Sequence, residues 1–248
     1  WLVTGDGDGL SIGGNHMLHV LRRNVNIQML LFNNEIYGLT KGQYSPTSRP
    51  GTRSPSSPTG SIEQNLNPCA FALGSGARFI ARTIDTDQKR MPSILIRAQQ
   101  HKGASFVEIF QNCIVFNDKV FAEFTEKAVA KNRQIFVEHG KPMVFGKDSE
   151  LGIRRTPGGL TMEAVNFAEA GLTEDDLLVH DETDHLLATM LVNMSGEGDF
   201  PTVLGVIYCD PRSNYDSQVS EQVEEAQATT PNADMKELLF AGNTWSVP

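Results

Sequence analysis

This 248-residue sequence has few cysteines, no long apolar run and no excess of basic residues. Its three cysteines include no CxxC pair, and three is one short of the four that an iron-sulfur cluster normally takes. No stretch approaches the roughly 18 apolar residues that a membrane-spanning helix needs. With 21 basic residues against 30 acidic ones, nothing favours a polyanionic partner. We therefore expect a cytoplasmic protein that binds neither membrane nor nucleic acid.

Two polar turns follow two apolar segments near the start of the chain. Trp1 to Thr4 runs into Gly5-Asp6-Gly7-Asp8, and Ile27 to Phe32 runs into Asn33-Asn34. Ligands of open α/β sheets bind at the carboxyl ends of parallel strands, so two such turns on neighbouring strands face one crevice. The pattern predicts a strand, turn, helix, strand and turn around a ligand site.

The residues of these turns suit a diphosphate and a cation. Gly5 and Gly7 allow the close approach of the main chain that a diphosphate needs at the start of a helix. Asp6 offers a carboxylate and Asn34 an amide oxygen, and Mg2+ takes such oxygen ligands together with phosphates. The alternative is that Asp6 and Asn34 are ordinary turn residues whose side chains cap local backbone groups.

A longer series of motifs carries a family resemblance. The segments GDGDGLSIGGNH, RRN and NNEIYGLTKGQYSPT follow one another within residues 5–47. Together they resemble the thiamine diphosphate motif of the β subunit of 2-oxoacid:ferredoxin oxidoreductases, in particular the 2-oxoglutarate type. The resemblance implies that Asp6, Asn34 and the backbone carbonyl of Ile36 hold Mg2+. It also implies a cofactor-binding set that contains, besides Asp6 and Asn34, the residues Gly5, Gly7, Asp8, Tyr37 and Thr40.

The same resemblance implies an activity and a set of partners. The family decarboxylates a 2-oxo acid oxidatively, or runs the reverse carboxylation, using thiamine diphosphate, coenzyme A, a [4Fe-4S] cluster and ferredoxin. No evident catalytic acid is present here, and in the resembling family that Glu comes from the α subunit. The chain is therefore expected to be incomplete alone. Two alternatives stay open: pyruvate or another 2-oxo acid as substrate, or a cofactor-binding or assembly module without redox activity.

Two further residues are assigned roles beside the cofactor. Lys41 is the candidate for substrate choice, because the second carboxylate of 2-oxoglutarate needs a cation at the far end of its pocket; the alternative is a solvated surface lysine. The resemblance makes Cys113 one ligand of the [4Fe-4S] cluster, with the others upstream of the cofactor motif in an N-terminal piece expected to be missing. Cys69 and Cys209 are predicted to be core thiols.

The spacing of apolar segments predicts an α/β fold with a doubly wound, mostly parallel sheet. Residues 1–146 are expected to form the thiamine diphosphate-binding domain, and residues 147–248 a peripheral C-terminal extension that contacts another subunit. Helices are predicted for Leu10 to Arg23, Pro68 to Gly74, Pro92 to Gly103, and through Phe121, Phe124 and Ala128. Strands are predicted for Phe79 to Ile84, Ala104 to Phe110 and Gln134 to Val137. The segment Ser45 to Ser61 is either a lid or interface loop, in which Arg49 and Arg53 meet a ligand or partner, or a plain flexible linker.

Overall fold

A computed structural model describes residues 1–194, 198–229 and 234–247. The strands are β1 (Leu2–Gly5), β2 (Gln28–Asn33), β3 (Phe79–Ile84), β4 (Ser105–Phe110), β5 (Gln134–Val137), β6 (Val144–Phe145), β7 (Leu151–Arg155), β8 (Met162–Asn166) and β9 (Thr202–Cys209). The helices are α1 (Asp6–Leu10), α2 (Gly14–Arg23), α3 (Pro68–Gly74), α4 (Met91–Gln100), α5 (Ala122–Thr125), α6 (Ala130–Arg133), α7 (His185–Asn193), α8 (Tyr215–Thr229) and α9 (Met235–Leu239), and a 3-10 turn spans Glu174–Asp176. Within these described ranges, no helix has both the length and the apolar character needed to cross a membrane.

The main sheet has the strand order β1-β2-β4-β3-β9-β5. All its neighbouring strands pair in parallel except β3 and β9, which pair antiparallel. The carboxyl ends of β1, β2, β3 and β4 therefore share one edge of the sheet, together with the amino ends of β5 and β9. This edge is where a doubly wound sheet presents its ligand-binding loops.

Helices cover both faces of this sheet. The helices α2, α3 and α7 bury apolar side chains in one core cluster, with Met17, Leu21, Ala72 and Leu191 among its members. Helix α4 packs Ile94 and Ala98 against the other face, in a second cluster. Every residue of β3 and β4 is buried, as expected of parallel strands that helices cover on both faces. The predicted doubly wound, mostly parallel fold is confirmed.

The start of α3 follows its local sequence signal. The Asn67 side chain accepts a hydrogen bond from the backbone N–H of Ala70 at 3.1 Å, and Pro68 occupies the first helical position. This is the N-cap and proline arrangement that the sequence predicted, and the bounds Pro68–Gly74 agree. The bounds predicted for β3 and β5 agree as well.

The single helix predicted from Leu10 to Arg23 is wrong. The structure has the short helix α1, then a turn, then α2. Gly13 makes the turn, because its N–H donates to the Asp8 carbonyl at 2.9 Å and a Cβ there would lie 2.6 Å from the same oxygen. Ile12, which lies within the predicted helix, is 87% exposed in that turn.

Two later helices are also shorter than predicted. The helix predicted to reach Gly103 ends at Gln100, because His101 adopts an extended conformation and Gly103 has a left-handed φ of 137°. The helix predicted through Ala128 is limited to α5, which buries Phe124 beside the buried Phe121. Packing against Phe110, rather than a long helical face, accounts for this pair of aromatic residues.

The C-terminal part contributes to the main sheet as well as to the periphery. Strand β9 lies between β3 and β5, and its side chains are buried almost throughout. Strands β6, β7 and β8 form a separate antiparallel sheet, whereas α8 and α9 bury no side chain. The description as a peripheral extension is therefore wrong for β9, because a strand between two others belongs to the core. The boundary at residue 146 stays a prediction.

Candidate cofactor site

The two predicted turns meet at the edge of the sheet. Strands β1 and β2 pair with Gly5 opposite Phe32, so the residues that follow each strand are neighbours. Asp6 is only 1% exposed. One terminal atom of the Asn34 amide lies 2.9 Å from the Ile36 carbonyl oxygen and 3.3 Å from Asp6 Oδ1. The structure thus brings together the three residues assigned to Mg2+.

The chemistry of these three groups fits a small hard cation. With its nitrogen turned inward, the Asn34 amide donates to both Ile36 O and Asp6 Oδ1. With its oxygen turned inward, three oxygens face one another, and a cation balances them. Adjacent ligands of an octahedral Mg2+ lie roughly 3 Å apart, given its short metal-oxygen bonds. The two observed separations are close to that spacing, so the donor set suits Mg2+.

Two buried hydroxyl groups orient the Asp6 carboxylate. Ser45 Oγ donates to Asp6 Oδ2 at 2.5 Å, and Thr47 Oγ1 donates to the same oxygen at 2.6 Å. Both residues are buried, and the neighbouring Ser48 Oγ donates to the Glu35 carbonyl at 2.5 Å. Oδ2 is therefore occupied and Oδ1 faces Asn34. The flexible-linker interpretation is wrong for the start of the Ser45 to Ser61 segment.

The charge of Asp6 depends on what lies beside it. Burial raises the pKa of its carboxyl above the usual range, and the hydrogen bonds from Ser45 and Thr47 lower it in part. A buried carboxylate needs a positive partner to stay ionised. A bound cation would supply that partner, which is a second reason why the site suits a metal.

Gly7 is required by the packing of Tyr37. A Cβ on Gly7 would lie 2.3 Å from Tyr37 Cε1, and the Tyr37 hydroxyl donates to the Gly7 carbonyl at 2.9 Å. By contrast, a Cβ on Gly5 would meet no atom within 4 Å. Asp8, the next member of the turn, is exposed. The turn is thus fixed on its Tyr37 side and open at Gly5.

A tight loop presents Thr40 and Lys41 to the outside. Tyr37 and Gln43 form an isolated bridge, and the Gly42 N–H donates to the Tyr37 carbonyl at 2.8 Å. Lys41 has a left-handed φ of 73° and is exposed, as is Thr40, which hydrogen-bonds Gln43. Lys41 makes no ion pair with the residues that the structure describes. Its ammonium group is therefore available to an anion beside the turn.

Cys113 lies in a loop that is hydrogen-bonded to the turn after β2, which contains Asn34 and Glu35. The Asn117 N–H donates to the Cys113 carbonyl at 2.9 Å, and the Asn117 side chain donates to the Asn34 carbonyl at 3.0 Å. The adjacent Ile114 and Val115 are largely exposed. Among the described residues, no group of three or more His, Cys, Asp or Glu side chains is arranged to hold a metal. A [4Fe-4S] cluster at Cys113 would therefore need further ligands from outside the described residues.

Glu35 is a buried acid that the sequence reasoning missed. It has a left-handed φ of 55° and is 8% exposed, and burial raises the pKa of its carboxyl to about 7, although Arg49 opposes the shift. Arg49 Nε lies 3.1 Å from Glu35 Oε2, and Arg49 Nη2 lies 2.5 Å from Glu123 Oε1. Arg49 therefore tethers the loop to two carboxylates of this chain.

A second missed group is the ion pair of Arg82 and Glu108. The two side chains are 3% and 1% exposed and join through Nε and Oε2 at 2.7 Å. Glu108 also accepts from Asn33 Nδ2 at 2.8 Å and from the Cys69 thiol at 3.2 Å. The sequence does contain a signal: one charged residue of each sign interrupts two otherwise apolar strand segments, IARTI and SFVEIF.

Comparison with known proteins identifies the family. Residues 1–109 match the family model described as thiamine pyrophosphate enzyme, C-terminal TPP binding domain. The 2-oxoglutarate oxidoreductase subunit KorB of Mycobacterium tuberculosis is 43% identical over 251 residues, which cover 100% of this chain and 66% of that protein. The 2-oxoacid:ferredoxin oxidoreductase subunit beta of Saccharolobus solfataricus is 41% identical over 127 residues, which cover 51% of this chain and 42% of that protein.

A solved structure agrees with these matches. The 2-oxoglutarate:ferredoxin oxidoreductase from Magnetococcus marinus, with 2-oxoglutarate, coenzyme A and succinyl-CoA bound, superposes with a TM-score of 0.69 and 26% sequence identity. The match covers 98% of this chain and 68% of the other. The chain thus spans less than two thirds of the length of the curated relatives described above. Its ordered turns, its sheet and these similarities place it in one family: the chain belongs to the β subunits of the 2-oxoacid:ferredoxin oxidoreductases.

Proposed function

We propose that this chain is the β subunit of a 2-oxoglutarate:ferredoxin oxidoreductase, which converts 2-oxoglutarate and coenzyme A to an acyl-CoA and CO2 while the released electrons pass to ferredoxin, or runs the reverse carboxylation. The observation that carries the proposal is the convergence of Asp6 Oδ1, the Asn34 amide and the Ile36 carbonyl at the end of two parallel strands. This donor set accounts for the Mg2+ that would join a diphosphate to the protein.

Thiamine diphosphate and Mg2+ are the proposed occupants of the turn. When bound, thiamine diphosphate supplies the carbanion chemistry by which a 2-oxo acid loses CO2. The chain's own part is to hold and orient. Asp6, Asn34 and Ile36 would hold the metal, Ser45 and Thr47 fix the Asp6 carboxylate, and the set Gly5, Gly7, Asp8, Tyr37 and Thr40 would line the diphosphate.

Lys41 is the proposed determinant of substrate choice. It lies five residues beyond Ile36 on the loop that leaves the metal turn, and its charge is not neutralised by a described side chain. A cation here would stabilise the distal carboxylate of 2-oxoglutarate, which pyruvate lacks. The names of the M. tuberculosis and Magnetococcus marinus proteins, both of which specify 2-oxoglutarate, support this choice over pyruvate.

Cys113 is the proposed ligand through which this chain contacts a [4Fe-4S] cluster. Its loop is hydrogen-bonded to the Asn34 turn through Asn117, so an electron acceptor at Cys113 would lie beside the cofactor. A four-thiolate cluster needs three more cysteines, and Cys69 is fully buried beside Glu108. The proposal therefore includes cluster ligands outside residues 1–248, an α subunit that supplies the catalytic acid, and ferredoxin as the electron carrier.

The test is an assay of the assembled α and β subunits. We expect reduction of ferredoxin that requires 2-oxoglutarate, coenzyme A and thiamine diphosphate together, with pyruvate at least about tenfold less effective in kcat/KM. Equal rates with pyruvate would reject the substrate assignment. Tight thiamine diphosphate binding without reduction of ferredoxin by any 2-oxo acid would show instead a cofactor-binding or assembly module.

A further inference from the structure

A separate cavity of about 550 Å³ lies at the same edge of the sheet as the cofactor turn. Its wall comes from the carboxyl ends of β2, β3 and β4, with Asn33, Asn67, Arg82, Glu108, Phe110 and Phe121 among the lining residues. Thr47 and Glu35 border both regions, whereas the lining includes none of Asp6, Asn34 and Ile36. The cavity is therefore adjacent to the proposed metal site but distinct from it.

Arg82 lines this cavity and brings a guanidinium group to it. Its side chain is 3% exposed, its Nε donates to Glu108, and its Nη2 reaches Asn67 Oδ1 only at 3.4 Å. Nη1 donates to no other described residue. A guanidinium binds carboxylates through pairs of parallel N–H groups, and the pair formed by Nη1 and Nη2 is the one left for a ligand.

Glu108 does not compete for that pair. Its Oε1 accepts from Asn33, and its Oε2 accepts from both Arg82 Nε and Cys69 Sγ. The Glu108 carboxylate thus accepts from Asn33, Cys69 and the Nε of Arg82, and not from Nη1 or Nη2. The N–H groups of Arg82 that face away from Glu108 can therefore donate to a ligand anion.

Part of the cavity wall is aromatic. The rings of Phe110 and Phe121 lie 4.8 Å apart, and those of Phe110 and Phe124 lie 5.1 Å apart. The Arg82 guanidinium carbon lies 5.6 Å from the centroid of the Phe110 ring. A ligand that reaches Arg82 therefore has an aromatic surface beside it, which suits a ring or chain attached to the anionic group.

We propose that this cavity binds a small organic monocarboxylate, with its carboxylate on Nη1 and Nη2 of Arg82 and its apolar body against Phe110 and Phe121. Arg49 and Glu123 also line the cavity and pair with each other, and Arg133 adds a further cationic side chain to the lining. The carboxylate is recognised by Arg82, which is the buried cation of this lining. This inference does not depend on the reaction proposed above.

The probe for this site is phenylacetate, titrated calorimetrically into the full-length protein after saturation with thiamine diphosphate and Mg2+. We expect saturable binding that is about tenfold or more tighter than that of 2-phenylethanol or 2-phenylethylamine, because a charged hydrogen-bonded pair distinguishes the carboxylate. Equal binding of the three compounds would overturn the proposal. So would binding of inorganic phosphate at Arg82 with no binding of phenylacetate.

Two variants locate the binding. Asn65→Trp places a large side chain at the exposed mouth, and Gln64→Trp is its matched control, since Gln64 is exposed but does not line the cavity. We expect a loss of phenylacetate affinity of about tenfold or more in the first only. Arg82→Lys keeps a charge beside Glu108 but lacks the forked donor, and should weaken binding by about tenfold as well. Unchanged affinity in Asn65→Trp would contradict the assignment even if Arg82→Lys failed to fold.

Discussion

The candidate cofactor site consists of an inner and an outer layer of residues, which differ in their burial and in their hydrogen bonding within this chain. The inner layer consists of Asp6, Asn34, Ile36, Ser45 and Thr47. It is buried or half-buried, and its polar atoms are joined by short hydrogen bonds within the chain. The outer layer consists of Leu39, Thr40, Lys41, Cys113 and Ile114. Leu39 is 99% exposed and Ile114 is 78% exposed, while Thr40 and Lys41 also face outward.

This difference in burial corresponds to two different requirements, those of metal coordination and those of contact with other molecules. Metal coordination needs ligands held within fractions of an ångström, and the inner layer gets this rigidity from buried hydroxyl groups of its own chain. Substrate choice and electron transfer need surfaces that meet other molecules, and in the outer layer Lys41 is exposed and Cys113 is partly exposed. We infer that the metal turn forms in this chain alone, whereas Lys41 and Cys113 gain their roles only in the assembled enzyme.

The largest expected effect is the loss of the inner layer's only carboxylate. Asp6→Ala removes one of the three proposed metal ligands, so Mg2+-dependent thiamine diphosphate binding should weaken by roughly 100-fold or more. The matched control is Asp8→Ala, because Asp8 is exposed two residues away in the same turn. Calorimetric titration measures both. An equal loss in the two variants would mean that charge in the turn, rather than coordination by Asp6, controls the affinity.

A smaller effect is expected from the hydroxyl groups that orient Asp6. Ser45→Ala or Thr47→Val each removes a donor to Asp6 Oδ2, and metal affinity should fall about 10-fold to 100-fold. Thr47→Ser keeps the hydroxyl and should stay within about threefold of the wild type. Binding of Mn2+, followed by electron paramagnetic resonance, gives the affinities. If Thr47→Val bound Mn2+ as tightly as Thr47→Ser, the inner layer would not need this hydrogen bond.

The outer layer should respond in the opposite way. Lys41→Ala leaves the metal turn intact, so thiamine diphosphate and Mg2+ affinity should not change. The KM for 2-oxoglutarate of the assembled enzyme should rise about tenfold, because a charged contact to the distal carboxylate is lost. Lys41→Arg is the charge-preserving control. A KM in Lys41→Ala equal to that of the wild type would mark Lys41 as a solvated surface residue and favour another substrate.

The smallest expected effect concerns His101, a buried side chain that lacks the hydrogen-bond partners found in the inner layer. His101 is 6% exposed, neither ring nitrogen has a hydrogen-bond partner in the described structure, and burial lowers its pKa. The unfolded chain therefore takes up this proton first as the pH falls below about 6.5, and the free energy of unfolding decreases. His101→Phe, which can pack on Phe79, should remove about 1 kcal/mol of this acid sensitivity between pH 7 and 5.

Urea unfolding at several pH values measures how the free energy of unfolding depends on pH. The control is His16→Phe, because His16 is exposed. An unchanged slope in His101→Phe would show that burial of this imidazole does not couple folding to protons.

Much of the inner layer was predictable because it is encoded locally. Gly5, Asp6 and Asn34 follow apolar runs directly, and strand ends are set by short-range sequence signals. The N-cap Asn67 and the bounds of α3 were predictable for the same reason. The break at Gly13 was not, because the hydrophobic spacing continues across it and only the close approach of Gly13 to the Asp8 carbonyl reveals the turn.

The remaining features depend on contacts between distant parts of the chain. Ser45 and Asp6 are 39 positions apart, and no local signal pairs a serine in a Pro-rich and Ser-rich segment with a buried carboxylate. The insertion of β9 beside β3 is likewise a matter of tertiary packing, as is the pairing of Arg82 with Glu108. The composition of residues 45–61 indicated a loop correctly but gave no measure of its burial.

The most direct test of the inner layer is to locate the metal. Crystals of the protein grown with thiamine diphosphate and Mn2+ give an anomalous signal at the metal position. We predict one peak bonded to Asp6 Oδ1, the Asn34 amide oxygen and the Ile36 carbonyl, with Ser45 and Thr47 still donating to Asp6 Oδ2. A Mn2+ peak away from these three oxygens, with the cofactor bound, would contradict the account.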